Sequence, residues 1–419
     1  MKDLLRRVKR KSLRILRNLI YHNYHYRPSG IYSIEKGVGR PLPLEGIHST
    51  EVYPHYRIRV QMPEEFYQAQ SEAYIADPPS PTLPNTLEIE TDYRVVAIPN
   101  GRLYADNTTM AAVILPNNQL LAEVAYQTSK GKGEVDPLQN PIFRLKYYKQ
   151  PKKLKGVVFN LLSGGGCTDN FAHWLVDVLP MIHLVEKAGY LDRVDWFVLP
   201  AQTLHYQRDS MKLLGIPPEK IIVGEEQTHL QADILLATTF PRGMNSQLIP
   251  NWVAEFHQER FITPETTQNS PYPKRIYINR RDGNFRKVLN EGEVEKLLAK
   301  YGFESFKLSS LPFTEMIRLF ANAEAIVSPT GAGMTNLFYC QPGTPVLEIC
   351  PSGHVHAFYI NIAQSAGLRY DYLICQSNQT KRNQTKEEAS NENILVDLEQ
   401  LENKIKDLLP MITRSRRAM

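Results

Sequence analysis

The sequence predicts an α/β protein built from two facing, Rossmann-like domains, with a small β-rich region at its N-terminal side. Two observations carry that expectation. From about Val157 short apolar runs alternate with helical stretches, and the alternation returns, cleaner, in the last third of the chain. Repeated β-α units wind a parallel sheet with helices on both faces, and two such halves imply a cleft between two domains. A third observation adds chemistry. The apolar run 325–328 meets Pro329-Thr330, then a Gly331-Ala332-Gly333 hinge, then a short helix from Met334. Glycines let the backbone approach a ligand closely, and the first amides of a helix lack intrahelical partners. Such a turn can cradle an anion, with phosphate the first choice.

Each element follows from its own cues. Residues 21–75 are rich in Tyr, His and Pro without clear periodicity, and 77–84 reads as a Pro-rich linker. Apolar runs at 93–98 and 111–115, separated by Pro-Asn and Gly-Arg turns, predict the β-rich region. Residues 157–162 read as a strand, 163–166 as a glycine loop, and 170–187 as largely helix. Further strands are expected at 196–199 and 234–237, a helical stretch within 245–267, and a domain boundary near Pro271. Beyond it come a strand at 275–278 and a helix from Asn290 to about Lys300, where Glu293 completes an Asn version of a capping box. A strand at 303–307, a helix with Pro312 in its first turn, the glycine-turn unit and a strand at 346–349 complete the series. A polar stretch at 377–393 precedes an amphipathic helix bearing Leu395, Leu398, Leu401, Ile405 and Leu408. The expected organisation is therefore 1–20, a basic helix; 21–270, an N-terminal α/β domain with a β-rich start; 271–376, a C-terminal α/β domain; and 377–419, linker and terminal helix.

Composition narrows the function class. The 419 residues suffice for two or three domains, and 42% hydrophobic with 22% charged residues is ordinary for a globular protein. The formal charge of +5 is too mild to argue for nucleic acid and suits anionic small molecules or an anionic membrane surface. Cys167, Cys340, Cys350 and Cys375 form no C-x-x-C pair and no zinc-spaced cluster, which reads as buried thiols in a reducing, cytoplasmic compartment with no metal. The sequons at Asn107, Asn378 and Asn383 then read as chance matches. No apolar run has the length of a membrane span. In residues 1–20, Leu5, Val8, Ser12, Leu16 and Leu19 share a helical face, with Arg6, Lys9, Arg10 and Arg17 among the rest. That pattern suits a peripheral membrane helix, and equally a helix packed on a domain.

Two constellations carry chemistry. Beyond the carboxyl ends of the expected parallel strands fall Arg280 and Arg281, the turn Thr330, Gly331, Ala332, Gly333, with Thr335 and Asn336 behind it, and Glu348. An arginine pair can clamp a diphosphate, turn amides can hold a phosphate, and a carboxylate suits ribose hydroxyls. Each alone has a plainer reading: a tight turn, a solvated loop, a strand-end carboxylate. Their convergence points to a nucleoside diphosphate site. The second constellation is residues 170–180, where Phe171, Trp174, Leu175 and Val178 mark a buried stripe. His173 and Asp177, at i and i+4, share a face. Such a pair can activate a hydroxyl or merely stabilise its helix. Pro180 should kink or end the first helical segment, and His354 and His356 are lesser candidates past the Glu348 strand.

Together these blocks resemble glycosyltransferase family 61. Members show N-x-x-H-W-x-x-[DE]-x-L-P, matched by residues 170–180, and a strand ending in two arginines, matched by Ile276-Tyr-Ile-Asn-Arg-Arg281. They also show [GS]-P-H-G-A-G-[LM]-T-N followed by P-G-x-x-V-x-E, matched by 328–336 and 342–348. The likeness covers roughly residues 90–375. One position departs: Thr330 stands where the family usually has histidine. The resemblance implies a GT-B architecture and inverting transfer of a sugar from a nucleotide-sugar donor, usually UDP-linked, to a glycan or lipid-linked glycan acceptor, as in surface polysaccharide synthesis. It assigns the base to Asp177 or His173, and leaving-group stabilisation to Arg280, Arg281 and the Gly331–Gly333 amides. No Asp-x-Asp motif is present, so no metal or other cofactor is expected. Rival expectations are a non-catalytic nucleotide-sugar-binding or scaffold protein, and a sugar-nucleotide epimerase of the same architecture.

Overall fold

The computed structural model describes residues 23–34, 46–66, 86–106, 110–127, 136–162, 170–200, 204–225, 227–242, 248–268, 270–375 and 391–416. The N-terminal helix, the linker at 77–84, the loop at 163–166, the three sequons, Cys167 and most of 377–393 lie outside the described residues. The chain is a mixed α/β protein with parallel sheets that forms two compact units. Unit 1 gathers residues 1–54, 92–204 and 216–245, and unit 2 gathers 55–91, 205–215 and 246–419.

The strands of unit 1 are β1 (Gly30–Tyr32), β2 (His48–Gln61), β3 (Thr86–Pro99), β4 (Arg102–Asp106), β5 (Met110–Ile114), β6 (Gln119–Leu121), β7 (Tyr126–Gln127), β8 (Lys152–Asn160), β9 (Trp196–Leu199), β10 (Ile221–Val223) and β11 (Gln227–Thr238). The unit boundaries after Pro54 and Thr91 fall inside β2 and β3. Along the sheet the order is β1-β6-β5-β4-β11-β8-β9-β10, with β3 also on β11, β2 on β3 and β7 on β5. The expected β-rich region and the first alternating segment thus share one sheet. β11 joins them: one edge pairs antiparallel with β4 and then β3, the other parallel with β8. β5 explains the unbroken apolar run at 111–115, because both its faces are covered. Ala111 and Val113 join Val96, Ile98 and Leu103 on one side, while Met110, Ala112 and Ile114 join Tyr104, Ile142 and Tyr148 on the other.

Unit 2 holds a five-stranded, all-parallel sheet of β12 (Arg275–Ile278), β13 (Glu304–Phe306), β14 (Ala325–Pro329), β15 (Pro345–Pro351) and β16 (Arg369–Cys375). Its order is β13-β12-β14-β15-β16. From β12 the chain steps one way to β13, then returns past it to β14 and onward, so the winding reverses between β12 and β14. The sequence pattern does not announce β16, an edge strand whose Tyr370-Asp371-Tyr372 half has no apolar run. One face is covered by the helices Glu291–Lys300 and Leu398–Arg416: Val294, Leu298, Leu401, Ile405 and Leu408 pack on Tyr277, Val327, Leu347 and Leu373. Each buried aliphatic side chain there contributes about 1.5–3 kcal/mol. Leu395, expected in the stripe, is 41% exposed. Residues from the region without periodicity also find a place, since Ile58, Val60, Met62 and Phe66 pack with Cys350, Val355 and Ile360.

Two local expectations change. Asn290 precedes its helix but makes no capping bond. Its amide nitrogen donates to the Val396 carbonyl (2.9 Å) and its amide oxygen accepts from the Val396 N–H (3.1 Å). Two bonds to an adjacent strand-like segment outcompete one to the helix. The helix after the glycine turn is a 3-10 helix, Ala332–Tyr339.

Candidate active site

In an open parallel sheet, ligands bind beyond the carboxyl ends of the strands, where the winding reverses. In unit 2 that place lies past β12 and β14, where the chain supplies Arg280 and the glycine turn. Asn279 secures the end of β12: its N–H donates to Phe306 O (3.0 Å) and its side chain to Ser305 Oγ (2.9 Å). The next residue, Arg280, donates from Nε and Nη2 to Phe285 O, at 3.3 and 2.9 Å. Its guanidinium lies against Gly331 so closely that a Cβ at 331 would overlap it. Gly331 is extended (φ 173°), so close approach, not a left-handed backbone, demands glycine there.

The turn itself is braced from behind. The Thr330 N–H donates to Ile349 O (2.9 Å), and its hydroxyl donates to Glu348 Oε1. Tyr370 Oη donates to Glu348 Oε2 (2.5 Å). Thr330 and Glu348 are both buried, so the Thr330 hydroxyl and both Glu348 oxygens are engaged inside the protein. Asn336 Nδ2 closes the loop onto Gly333 O (2.8 Å). Phe338 stacks flat on His257 (4.7 Å, 6°), and Tyr339 Oη meets His257 Nδ1 at 3.2 Å, anchoring the 3-10 helix. The amides of Ala332 and Gly333, in its first turn, have no acceptor within that helix.

The electrostatics around this turn are cationic. Burial lowers the pKa of Arg280, partly offset by Tyr359, Asp282 and Glu291. Burial also lowers that of Arg286, and the Arg280 charge lowers it further. Arg286 has a left-handed backbone (φ 55°), a costly conformation that tends to persist at functional sites. His354 is pushed down to about 2 by burial, then by His356, Arg286 and Arg280, so it is neutral at physiological pH. It contacts His356, Nδ1 to Nε2, at 3.1 Å. Glu348 is pushed up to about 7 by burial, against its bonds from Thr330 and Tyr370 and the Arg286 charge. Arg281 stands apart: it pairs with Glu295 and its side chain is 58% exposed. The adjacent arginines therefore divide, and the second guanidinium near Arg280 is that of Arg286.

Unit 1 holds the other constellation. Asn170 caps the helix, its Oδ1 accepting from the N–H groups of Ala172 (3.0 Å) and His173 (3.4 Å). Pro180 does not end the helix. Lacking an N–H, it follows a segment, Trp174–Val178, in which the ladder widens to π spacing, and Leu179 N–H reaches back to Trp174 O. Trp174, Leu175 and Val178 are buried as the stripe requires, and Val176 with them. His173 Nδ1 lies 2.6 Å from Asp177 Oδ2. Arg242 grips the same carboxylate with two bonds, Nε to Oδ1 (2.6 Å) and Nη2 to Oδ2 (2.7 Å). Burial would raise the Asp177 pKa, but the Arg242 charge and the bonds from His173 and Arg242 outweigh it. They hold the carboxyl well below the usual range. The loop carrying Arg242 is tied to β3, where buried Tyr93 donates to Pro241 O (2.8 Å) and Arg94 N–H to Thr239 Oγ1 (3.0 Å).

Sequence reasoning missed Arg242 and Arg286. Each is a lone arginine in a turn-rich stretch, indistinguishable there from a solvated one. Arg280 follows the end of β12, and Thr330, Gly331, Ala332, Gly333, Thr335 and Asn336 follow the end of β14, whereas Glu348 lies inside β15 and not beyond it; His173 and Asp177 are in direct contact.

No curated protein matches the chain. Residues 171–347 match the family model Glycosyltransferase 61. The matched span includes His173, Asp177, Arg242, Arg280, Arg286 and the glycine turn. Through that span the chain is similar to glycosyltransferase family 61.

Proposed function

We propose that the protein is an inverting glycosyltransferase that moves a sugar from a UDP-linked donor to a hydroxyl of a glycan or lipid-linked glycan acceptor, in the synthesis of a surface polysaccharide. The supporting observation is Arg280. Among the described residues it forms no ion pair, and its hydrogen bonds go to a single carbonyl, that of Phe285. A partly buried guanidinium beside a second one, at the winding reversal of a parallel sheet, calls for a counter-charge from a ligand. A diphosphate supplies it. In this reading Arg280, Arg286 and the amides of Gly331, Ala332 and Gly333 hold the phosphates and stabilise the departing UDP. Thr330, Glu348, Thr335 and Asn336 shape the turn from behind.

Inversion requires a base to take the proton of the acceptor hydroxyl, and the His173–Asp177 pair supplies it. Donor handling falls to residues 271–376 in a GT-B-type division, and acceptor handling to 21–270. The reading extends to the inner face of a membrane through the basic residues 1–20; unchanged partitioning on their deletion would remove that part.

The test is a thermal-shift panel of nucleotide sugars, followed by product analysis with and without acceptor sugars. A UDP-sugar should stabilise the protein and be consumed by transfer only when acceptor is present. Conversion of the donor alone would make the protein an epimerase, binding without turnover a non-catalytic binder, and no stabilisation by any nucleotide sugar would sink the reading.

A further inference from the structure

We infer that Arg242 acts as a positioning residue that takes Asp177 out of proton transfer and makes Nε2 of His173 the base. The inference rests on the proposed glycosyl transfer. Every oxygen of Asp177 is committed: Oδ1 accepts from Arg242 Nε, and Oδ2 accepts from Arg242 Nη2 and lies 2.6 Å from His173 Nδ1. A base must offer a lone pair to the acceptor, and this carboxylate offers its best-placed pairs to a guanidinium.

The same contacts choose the histidine tautomer. Nδ1 is 3.0 Å from Arg242 Nη2 and 2.6 Å from Asp177 Oδ2, and it cannot accept from one while donating to the other. At 2.6 Å from a carboxylate oxygen a bare lone pair would be repelled, whereas an N–H makes a short charge-assisted bond. Nδ1 therefore carries the proton, and the Arg242 amino group points its hydrogen bond at Asp177. Nε2 is left with its lone pair. Among the described residues nothing bonds to Nε2, and the His173 side chain is 35% exposed against 13% for Asp177. The tautomer logic parallels that of a Ser-His-Asp triad, with an arginine added to fix the carboxylate.

The step balances simply. The Nε2 lone pair takes the acceptor hydroxyl proton, and the acceptor oxygen forms its bond to the anomeric carbon from the face opposite the phosphate. The anomeric carbon–phosphate oxygen bond breaks with its electron pair leaving on UDP. The imidazolium, stabilised by Asp177, then returns its proton to solvent.

The experiment measures kcat and donor KM for Arg242→Ala, Arg242→Lys, Asp177→Asn and His173→Ala, with melting temperature as a folding check. In Arg242→Ala, kcat should fall by about 10²-fold or more while donor KM moves less than about threefold, and free guanidinium should restore at least about tenfold of it. Guanidinium should do nothing for His173→Ala. Arg242→Lys keeps the charge but loses the two-pronged grip, so it should also lose kcat; this variant decides the matter if Arg242→Ala does not fold. Wild-type kcat in Arg242→Lys, or in Asp177→Asn, overturns the inference while leaving the transferase reading intact. Wild-type kcat in His173→Ala removes the proposed base and overturns the inference likewise, whereas absence of transfer by the unmutated protein would remove the reading on which the inference rests.

Discussion

Arg242 and Arg280 are both arginines with little access to water, yet the chain treats them in opposite ways. Arg242, 16% exposed, closes a two-pronged pair on Asp177 within its own unit. Arg280 leans on a backbone carbonyl and shares its surroundings with Arg286. The carboxyls of the two sites differ as well: the Arg242 charge and the bonds from His173 and Arg242 hold Asp177 below its usual range against burial, whereas burial drives Glu348 up to about 7. A charge satisfied from within holds geometry, and a charge left over holds a ligand. In the proposed reading the first site orients a proton acceptor and the second receives an anion.

The largest effect that could break this contrast is on stability. Removing one partner of a buried pair leaves an uncompensated charge, so Arg242→Ala should cost about 3–5 kcal/mol in denaturant unfolding, whereas Arg280→Ala should cost little or even stabilise. Equal losses from both would erase the distinction. Asp177 adds a pH signature. Its folded pKa is depressed, so its contribution is complete above its unfolded value of about 4 and is lost as pH falls below that.

Glu348 should show the reverse sign. Its folded pKa is raised from 4.5 to about 7, so the folded state holds the proton longer and stability declines as pH rises across that interval. The decline should be on the order of 3 kcal/mol. Melting curves of Glu348→Gln between pH 4.5 and 7 should be flatter than those of the parent chain; equal slopes would show that Glu348 ionises normally.

A smaller effect sharpens the ligand side. Gly331→Ala places a methyl where the Arg280 guanidinium lies. Losing its charge-assisted contacts should weaken UDP binding by about 10-fold to 150-fold, from 1.5–3 kcal/mol. Unchanged calorimetric affinity would separate Arg280 from the ligand. The smallest effect is expected at Arg281, whose exposed pair with Glu295 is worth about 0–1 kcal/mol. UDP affinity in Arg281→Ala should stay within about twofold.

How much of this was legible in the sequence depended on distance along the chain. β12, β14 and β15 were readable because their apolar runs are short, bounded by turns and buried on both faces. His173 and Asp177 were readable as a pair because i,i+4 spacing alone brings them together. Their third partner was not, since Arg242 lies 65 residues on and reaches Asp177 through a loop fastened to β3. Nor does the sequence state that Glu348, eighteen residues later, accepts from the Thr330 hydroxyl. Asn290 misled for the same reason, its cap displaced by a backbone segment 106 residues away. The mixed sheet of unit 1 was hidden because β11 takes antiparallel and parallel neighbours on its two edges, and an apolar run does not state its partners' direction.

The central claim is that the charge of Arg280 is left for a diphosphate, and calorimetry with UDP and uridine tests it most directly. The protein should bind UDP at least about tenfold more tightly than uridine, one charge-assisted contact being worth that much, and the margin should collapse in Arg280→Ala. Equal affinity for UDP and uridine, or an undiminished margin in Arg280→Ala, would contradict it.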